Sequence, residues 1–220
     1  LTIILPVKPG VFPANVNNDQ ETVAFRMPNQ HSALRLIDLV GAPLVGPSAN
    51  LSGKPSPTSV DHVMQDFDGV ISGVVAGDTD QAQIGVESTV VRPMSDRLII
   101  LRPGAITQSM LKQVCPKVQE FSVAEQLAAP QLQSPGVKYR HYSPKQAVFL
   151  FESSEDLANL HAKLVAKGGR VGLLADESII QALGQQSPVV ATYSLGQPND
   201  ADSATRQLYA GLRALEASDC

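Results

Sequence analysis

Hydrophobic and polar positions along this 220-residue chain change rhythm several times, and each rhythm predicts an element. Leu1–Pro6 is a short apolar run and Glu21–Arg26 an alternating one, so both read as strands, with a Pro-, Gly- and Asn-rich loop over residues 7–20 between them. Pro28 ends the second strand, and residues 30–40 place Leu34, Ile37 and Val40 on one face of a helix. The apolar run from Pro43 to Gly46 predicts a buried strand. It breaks into Pro47-Ser48-Ala49-Asn50-Leu51-Ser52-Gly53-Lys54-Pro55-Ser56, whose composition is that of a tight loop. A helix over about 58–67 follows, with Thr58 as its N-cap, Asp61 in the first turn and Val60, Val63, Met64 and Phe67 apolar.

Val70–Ala76 predicts another strand, and a polar loop fills 77–85. Glu87–Arg92 and Arg97–Arg102 read as a hairpin turned by Pro93-Met94-Ser95-Asp96, after which Thr107 caps a helix through Val114. Helices mixed with a hairpin favour a twisted mixed sheet over a purely parallel one. Residues 116–144 have little periodicity and read as an interdomain linker, although Lys138, Tyr139, Arg140, His141 and Tyr142 crowd five chemistry-bearing side chains into it. From Ala147 the order becomes regular: strand Ala147–Phe151, helix 154–167, strand Arg170–Ala175, helix 177–184, strand Val189–Tyr193 and helix 200–217. That βαβαβα order predicts a small parallel sheet with helices packed on it. No Gly-x-Gly-x-x-Gly follows its first strand, so a dinucleotide site is unsupported.

Composition narrows the function classes. Net charge is −4, with 11 basic and 12 acidic side chains over residues 1–144 and 6 against 9 over 145–220. A broad basic face gripping nucleic acid is therefore not expected, and individual cations must serve as specific ligands. No apolar run is long enough to cross a membrane. Cys115 and Cys220 have no metal or redox spacing and read as free thiols of a cytoplasmic protein; the four histidines lack zinc-ligand spacing. The loop after Pro47 is the first candidate site, because Ser48, Asn50, Ser52 and Ser56 place short donors and acceptors between a strand end and a helix start, where anions bind. A plain capped turn uses the same residue types.

Six motifs then occur in a fixed order: LTIILP, TVAFRMP, PLVGPSANLSGKPSPT, GVESTVV, ILRPGAIT and SPGVKYRHYSP. In that order and spacing the chain closely resembles the two-domain form of the YrdC-like threonylcarbamoyl-AMP synthase family. The resemblance implies an α/β fold: a twisted mixed-sheet catalytic domain over 1–115, a linker over 116–145 closing over the active site, and a small Rossmann-like domain over 146–220. It implies conversion of L-threonine, bicarbonate and ATP to threonylcarbamoyl-AMP and pyrophosphate, feeding the tRNA threonylcarbamoyl transferase machinery. ATP would meet Thr22, Ser48, Asn50, Ser56, Arg102 and Tyr142, and threonine would meet Arg26, Gly46 and Ser88. No general base or nucleophile is assigned, which suits a mechanism of positioning and charge neutralisation. Mg²⁺ is expected to travel with the ATP phosphates, without a protein metal site.

Each residue has a simpler reading beside it. Arg26 could pair with a neighbouring acid, Arg102 bond a turn carbonyl, Ser88 suit a strand, and Tyr139 and Tyr142 pack between domains. Three other functions compete: an RNA-binding module, a carbamoyl transferase of the hydrogenase-maturation kind, and a non-catalytic partner that only binds nucleotide. The family's Lys-x-Arg phosphate motif precedes LTIILP and is not in this sequence. The expectation is a chain shortened at both ends, inactive or poorly folded alone, from a parent that is the enzyme.

Overall fold

A computed structural model describes residues 1–17, 20–77, 82–122, 124–125, 144–184 and 189–220. The chain divides into two compact units that interleave in sequence: Leu1–Pro47 with Glu87–Tyr139, and Ser48–Val86 with Arg140–Cys220.

The first unit is built on a five-stranded sheet of β1 (Thr2–Pro6), β2 (Thr22–Phe25), β3 (Val90–Pro93), β4 (Leu98–Arg102) and β5 (Val118–Glu120), in the order β2-β1-β3-β4-β5. β1 runs antiparallel to β2 and parallel to β3; β3 is antiparallel to β4, and β4 parallel to β5. The sheet is therefore mixed, as the hairpin required. The period of two along β4 sends Ile99 and Leu101 to one face and Leu98 and Ile100 to the other. Ile4, Val90, Ile99 and Leu101 form one core with Phe121 against it. Val91, Ile100 and Leu111 form a second, joined by Ile3, Leu98, Ile106 and Val118. Helix α1 (Ala14–Asn17) is a single turn, and α2 (His31–Val40) starts on the Gln30 side chain and ends on Gly41 in the left-handed conformation. Thr107 caps α4 (Gln108–Lys112) as expected.

The second unit holds α3 (Val60–Phe67), α5 (Ser154–Ala166), β6 (Gly172–Ala175), α6 (Glu177–Gly184), β7 (Ala191–Ser194) and α7 (Ala201–Glu216). β6 and β7 pair in parallel, Leu173 beside Thr192. Leu157, Leu173, Ala175 and Leu183 make the core, with Phe151, Ile179, Ile180 and Val189 against it. α7 lies on the sheet through Gly211, where a Cβ would fall 2.4 Å from Leu174 Cδ1.

Three expected strands do not form. The run from Pro43 joins no sheet and is exposed, Val45 at 77%. Pro43 and Pro47 have no N–H to donate, which leaves too few donors for a ladder. Val70–Ala76 and Ala147–Phe151 are likewise unpaired, with Val75 81% and Leu150 92% exposed. Apolar sequence alone cannot make a strand where no neighbouring edge accepts its hydrogen bonds. The C-terminal part thus forms two of the three strands read for it. β5, by contrast, arises inside the segment read as linker, because the edge of β4 pairs with three residues of modest pattern.

Candidate active site

In the first unit the structure brings Ser88 and Arg102 together. Arg102 is the last residue of β4 and Ser88 lies two residues before β3; Val90 pairs with Arg102 at an irregularity between Val90 and Val91. Arg102 donates from Nε and Nη2 to the Ser88 carbonyl at 3.2 and 2.9 Å, and Nη2 lies 3.5 Å from Ser88 Oγ. Ser88 Oγ also bonds Thr2 Oγ1 at 2.6 Å. The guanidinium is thus aimed by main chain, while its Nη1 group has no protein acceptor among the described residues and remains able to meet an anion.

The local geometry explains two of the motifs. Thr89 is buried, donates to the Ile106 carbonyl at 2.8 Å and accepts from the Ile106 amide at 3.1 Å, tying the GVEST segment to the LRPGAI turn. A Cβ at Gly104 would lie 2.6 Å from the Glu87 carbonyl and from the Thr89 amide, so only glycine lets the two backbones meet.

The other residues of this unit are less engaged. Thr22 is half-buried at the start of β2, opposite Pro6. Arg26 follows β2, is exposed, and makes no ion pair or hydrogen bond among the described residues; the acidic partner weighed for it is not there. Gly46 sits in exposed chain where an added Cβ would meet no atom within 4 Å.

In the second unit Ser48, Asn50 and Ser56 stand on one loop leading into α3. Ser48 is exposed, Asn50 half-buried and Ser56 buried. Asn50 Nδ2 donates to the carbonyls of Leu51 and Lys54 at 3.0 and 3.2 Å, and the Lys54 amide returns to the Leu51 carbonyl at 3.1 Å, with Gly53 at φ +92° between them. Asn50 therefore spends its amine on closing the turn, and its Oδ1 is buried without a donor among the described residues. The N-cap of α3 is Ser59, accepting from the His62 amide, in place of Thr58. Thr58 instead donates its amide to His62 Nδ1 at 3.1 Å, one residue too early to cap the first turn.

Sequence reasoning missed the groups that hold this loop. Asp66 and Arg213 are both buried, with side chains 0% and 4% exposed, and pair at 2.8 Å. Lys54 Nζ reaches the same carboxylate at 2.8 Å, and the Leu51 amide donates to it at 3.2 Å. Arg213 also donates from Nη2 and Nε to the Pro55 carbonyl at 2.7 and 3.0 Å. Burial opposes ionisation of Asp66, but the hydrogen bonds from Arg213, Lys54 and Leu51 and the Arg213 charge outweigh it and hold the carboxyl well below the usual range. Burial, and then the Arg213 charge, push His62 below its ordinary value against the opposite pull of Asp61 and Asp66. The signal was present: Asp66 is three residues from apolar Val63, and Arg213 four from buried Tyr209.

Tyr142, with Lys138, Tyr139, Arg140 and His141, lies outside the described residues. Among the described residues no three His, Cys, Asp or Glu side chains converge as a metal site, and no helix is long and apolar enough to cross a membrane.

Comparison with known proteins agrees along the whole chain. Residues 1–104 match the Sua5/YciO/YrdC family model, whose description is telomere recombination, and residues 106–220 match the threonylcarbamoyl-AMP synthase C-terminal domain. Threonylcarbamoyl-AMP synthase of Bacillus subtilis is 40% identical over 220 residues, covering 98% of this chain and 61% of that protein. The Pyrococcus abyssi protein of the same name is 37% identical over 183 residues, 81% of this chain and 53% of the relative. The crystal structure of P. abyssi Sua5 complexed with L-threonine superposes with a TM-score of 0.83 at 32% identity, covering 98% of this chain and 61% of that one. The chain thus spans between 53% and 61% of the length of these relatives. With both of its parts matched in order, the chain belongs to the threonylcarbamoyl-AMP synthase family.

Proposed function

We propose that this chain is the part of an L-threonylcarbamoyladenylate synthase that carries the Ser88–Arg102 pair and the Ser48–Ser56 loop. The observation that carries the reading is the Ser88–Arg102 geometry within a chain whose two parts match the family in order. L-threonine is the amino acid bound by the solved P. abyssi relative, and we assign it here to Arg26, Ser88 and Gly46. A guanidinium without a partner among the described residues, such as Arg26, suits a carboxylate, and open space at Gly46 leaves its backbone accessible. ATP is assigned to Thr22, Ser48, Asn50, Ser56 and Arg102, with Tyr142 of the linker.

The chemistry asks for positioning more than for proton transfer. The threonine amine attacks bicarbonate carbon and water leaves, giving an N-carboxylate. An oxygen of that carboxylate attacks the α-phosphorus of ATP, and the α–β anhydride breaks with its electron pair on pyrophosphate. Donors fixed in advance around the phosphates lower such a barrier, and the main-chain-aimed Arg102 is one of them. Magnesium would travel on the nucleotide and neutralise phosphate charge, held by phosphate oxygens and water without a protein metal site. The product would pass to the tRNA-modifying transferase, in the cytoplasm.

Pyrophosphate release from ATP, with and without threonine and bicarbonate, tests the reading on a protein extended to the length of its relatives. Release that needs both co-substrates supports it. Release indifferent to threonine overturns it.

A further inference from the structure

We infer that Arg213 is a positioning residue for the nucleotide loop: with Asp66 and Lys54 it sets the backbone that presents Ser48, Asn50 and Ser56. The inference rests on reading that loop as the phosphate site. It deepens the reading by naming what orders the loop, a residue 158 positions further along the chain from Pro55.

The buried cluster ties the loop down at three successive points. Asp66 takes the Leu51 amide directly after Asn50 and the ammonium of Lys54, while Arg213 takes the Pro55 carbonyl directly before Ser56. Two of these bonds are to main chain, so they set the loop's path and not merely a side-chain contact. Arg213 also reaches the His62 carbonyl at 3.4 Å, and its fork meets both oxygens of Asp66, at 3.4 and 2.8 Å. α7 thereby holds the loop and α3 together from one side chain.

A purely structural role would be served as well by apolar residues. Buried ion pairs commonly contribute no more stability than a well-packed apolar pair of the same volume. An apolar pair could hold α3 against α7, but could not bind the Leu51 amide or the Pro55 carbonyl. Ordering a loop before its ligand arrives is where such bonds strengthen binding. Arg213 suits this use because its planar fork serves two acceptors at once, which a lysine ammonium on a flexible stem does not.

The test compares wild type with Arg213→Lys and with the double variant Arg213→Met, Asp66→Leu, which removes both buried charges while keeping apolar volume. The protein is carried at the length of its relatives. The readouts are hydrogen exchange of the Leu51, Lys54 and Thr58 amides, affinity for a non-hydrolysable ATP analogue, and the separate KM values for ATP and threonine. The expected result for the double variant is about tenfold faster exchange at those amides and about tenfold weaker analogue binding, with threonine KM within about twofold of wild type. Arg213→Lys should fall between the two. Unchanged exchange overturns the inference. So does faster exchange with unchanged nucleotide affinity, which would leave a structural staple only. A wild type that binds the analogue but releases no threonine-dependent pyrophosphate sinks the proposed reaction, and the analogue measurements still decide the role of Arg213. A wild type that fails to bind the analogue overturns both.

Discussion

A guanidinium aimed by a backbone carbonyl and one standing in solvent respond differently to replacement, and Arg102 and Arg26 are that pair. Arg26 has no partner among the described residues, so Arg26→Ala should leave the melting transition within about 0.5 kcal/mol of wild type. Its effect should appear as a threonine KM raised about tenfold or more, the scale of one charge-assisted hydrogen bond, with ATP KM nearly unchanged. Equal loss for both substrates would remove Arg26 from the threonine assignment. Arg102→Lys keeps the charge but gives up the double bond to the Ser88 carbonyl, so it should cost about 1–3 kcal/mol of stability and weaken ATP before threonine. Thermal melts read beside the two KM values check both variants. Ser88 and Arg102 were readable as candidates from GVESTVV and ILRPG. Their meeting was not, because it depends on the antiparallel register of β3 on β4 and its irregularity at Val90.

α3 carries its own pH dependence. His62 accepts the Thr58 amide through Nδ1, which requires that nitrogen to be unprotonated. Its folded pKa lies below the ordinary 6.5, so below that pH the unfolded chain takes up a proton that the folded chain refuses. Stability should therefore be full above 6.5 and fall as pH drops through the window down to the folded value. Asp66 acts in the same direction lower down: its contribution is present above its ordinary 3.8 and is lost as pH falls below that. Urea midpoints should show His62→Asn, which keeps an acceptor without the titration, flattening the fall in stability that sets in below pH 6.5 while leaving the acid limb below 3.8. An unchanged slope would mean His62 is not the group responsible. Periodicity found α2, α3, α4, α5, α6 and α7, missing only which residue caps α3, because caps and apolar faces are local signals. It failed at Pro43–Gly46, Val70–Ala76 and Ala147–Phe151, since a strand also needs an edge to pair with.

Over the whole molecule, the segment Ser48–Val86 groups with the C-terminal residues, and its approach to α7 is close at both ends. At one end stands Arg213. At the other, Gly85 has φ +80° and an added Cβ would fall 2.5 Å from Arg206 Cα and 2.6 Å from the carbonyls of Thr205 and Arg206. Gly53 shares the left-handed backbone, at φ +92°, but faces open space. Gly85→Ala should thus lower stability by well over the roughly 1–2 kcal/mol that left-handed backbone alone costs at Gly53→Ala. Comparable losses in denaturant titrations of the two variants would argue against the close packing of this segment on α7. By itself the sequence determined the mixed α/β class, most helices, the β3–β4 hairpin and the family, because these rest on neighbouring residues and on motifs in order. Only the tertiary structure decided which apolar runs pair, that Gly104 must be glycine beneath Glu87 and Thr89, and that Arg213 reaches Asp66 and the loop at Pro55. Those outcomes depend on chain segments 15 to 158 residues apart, and no local pattern of side chains encodes which distant edge or charge they will meet.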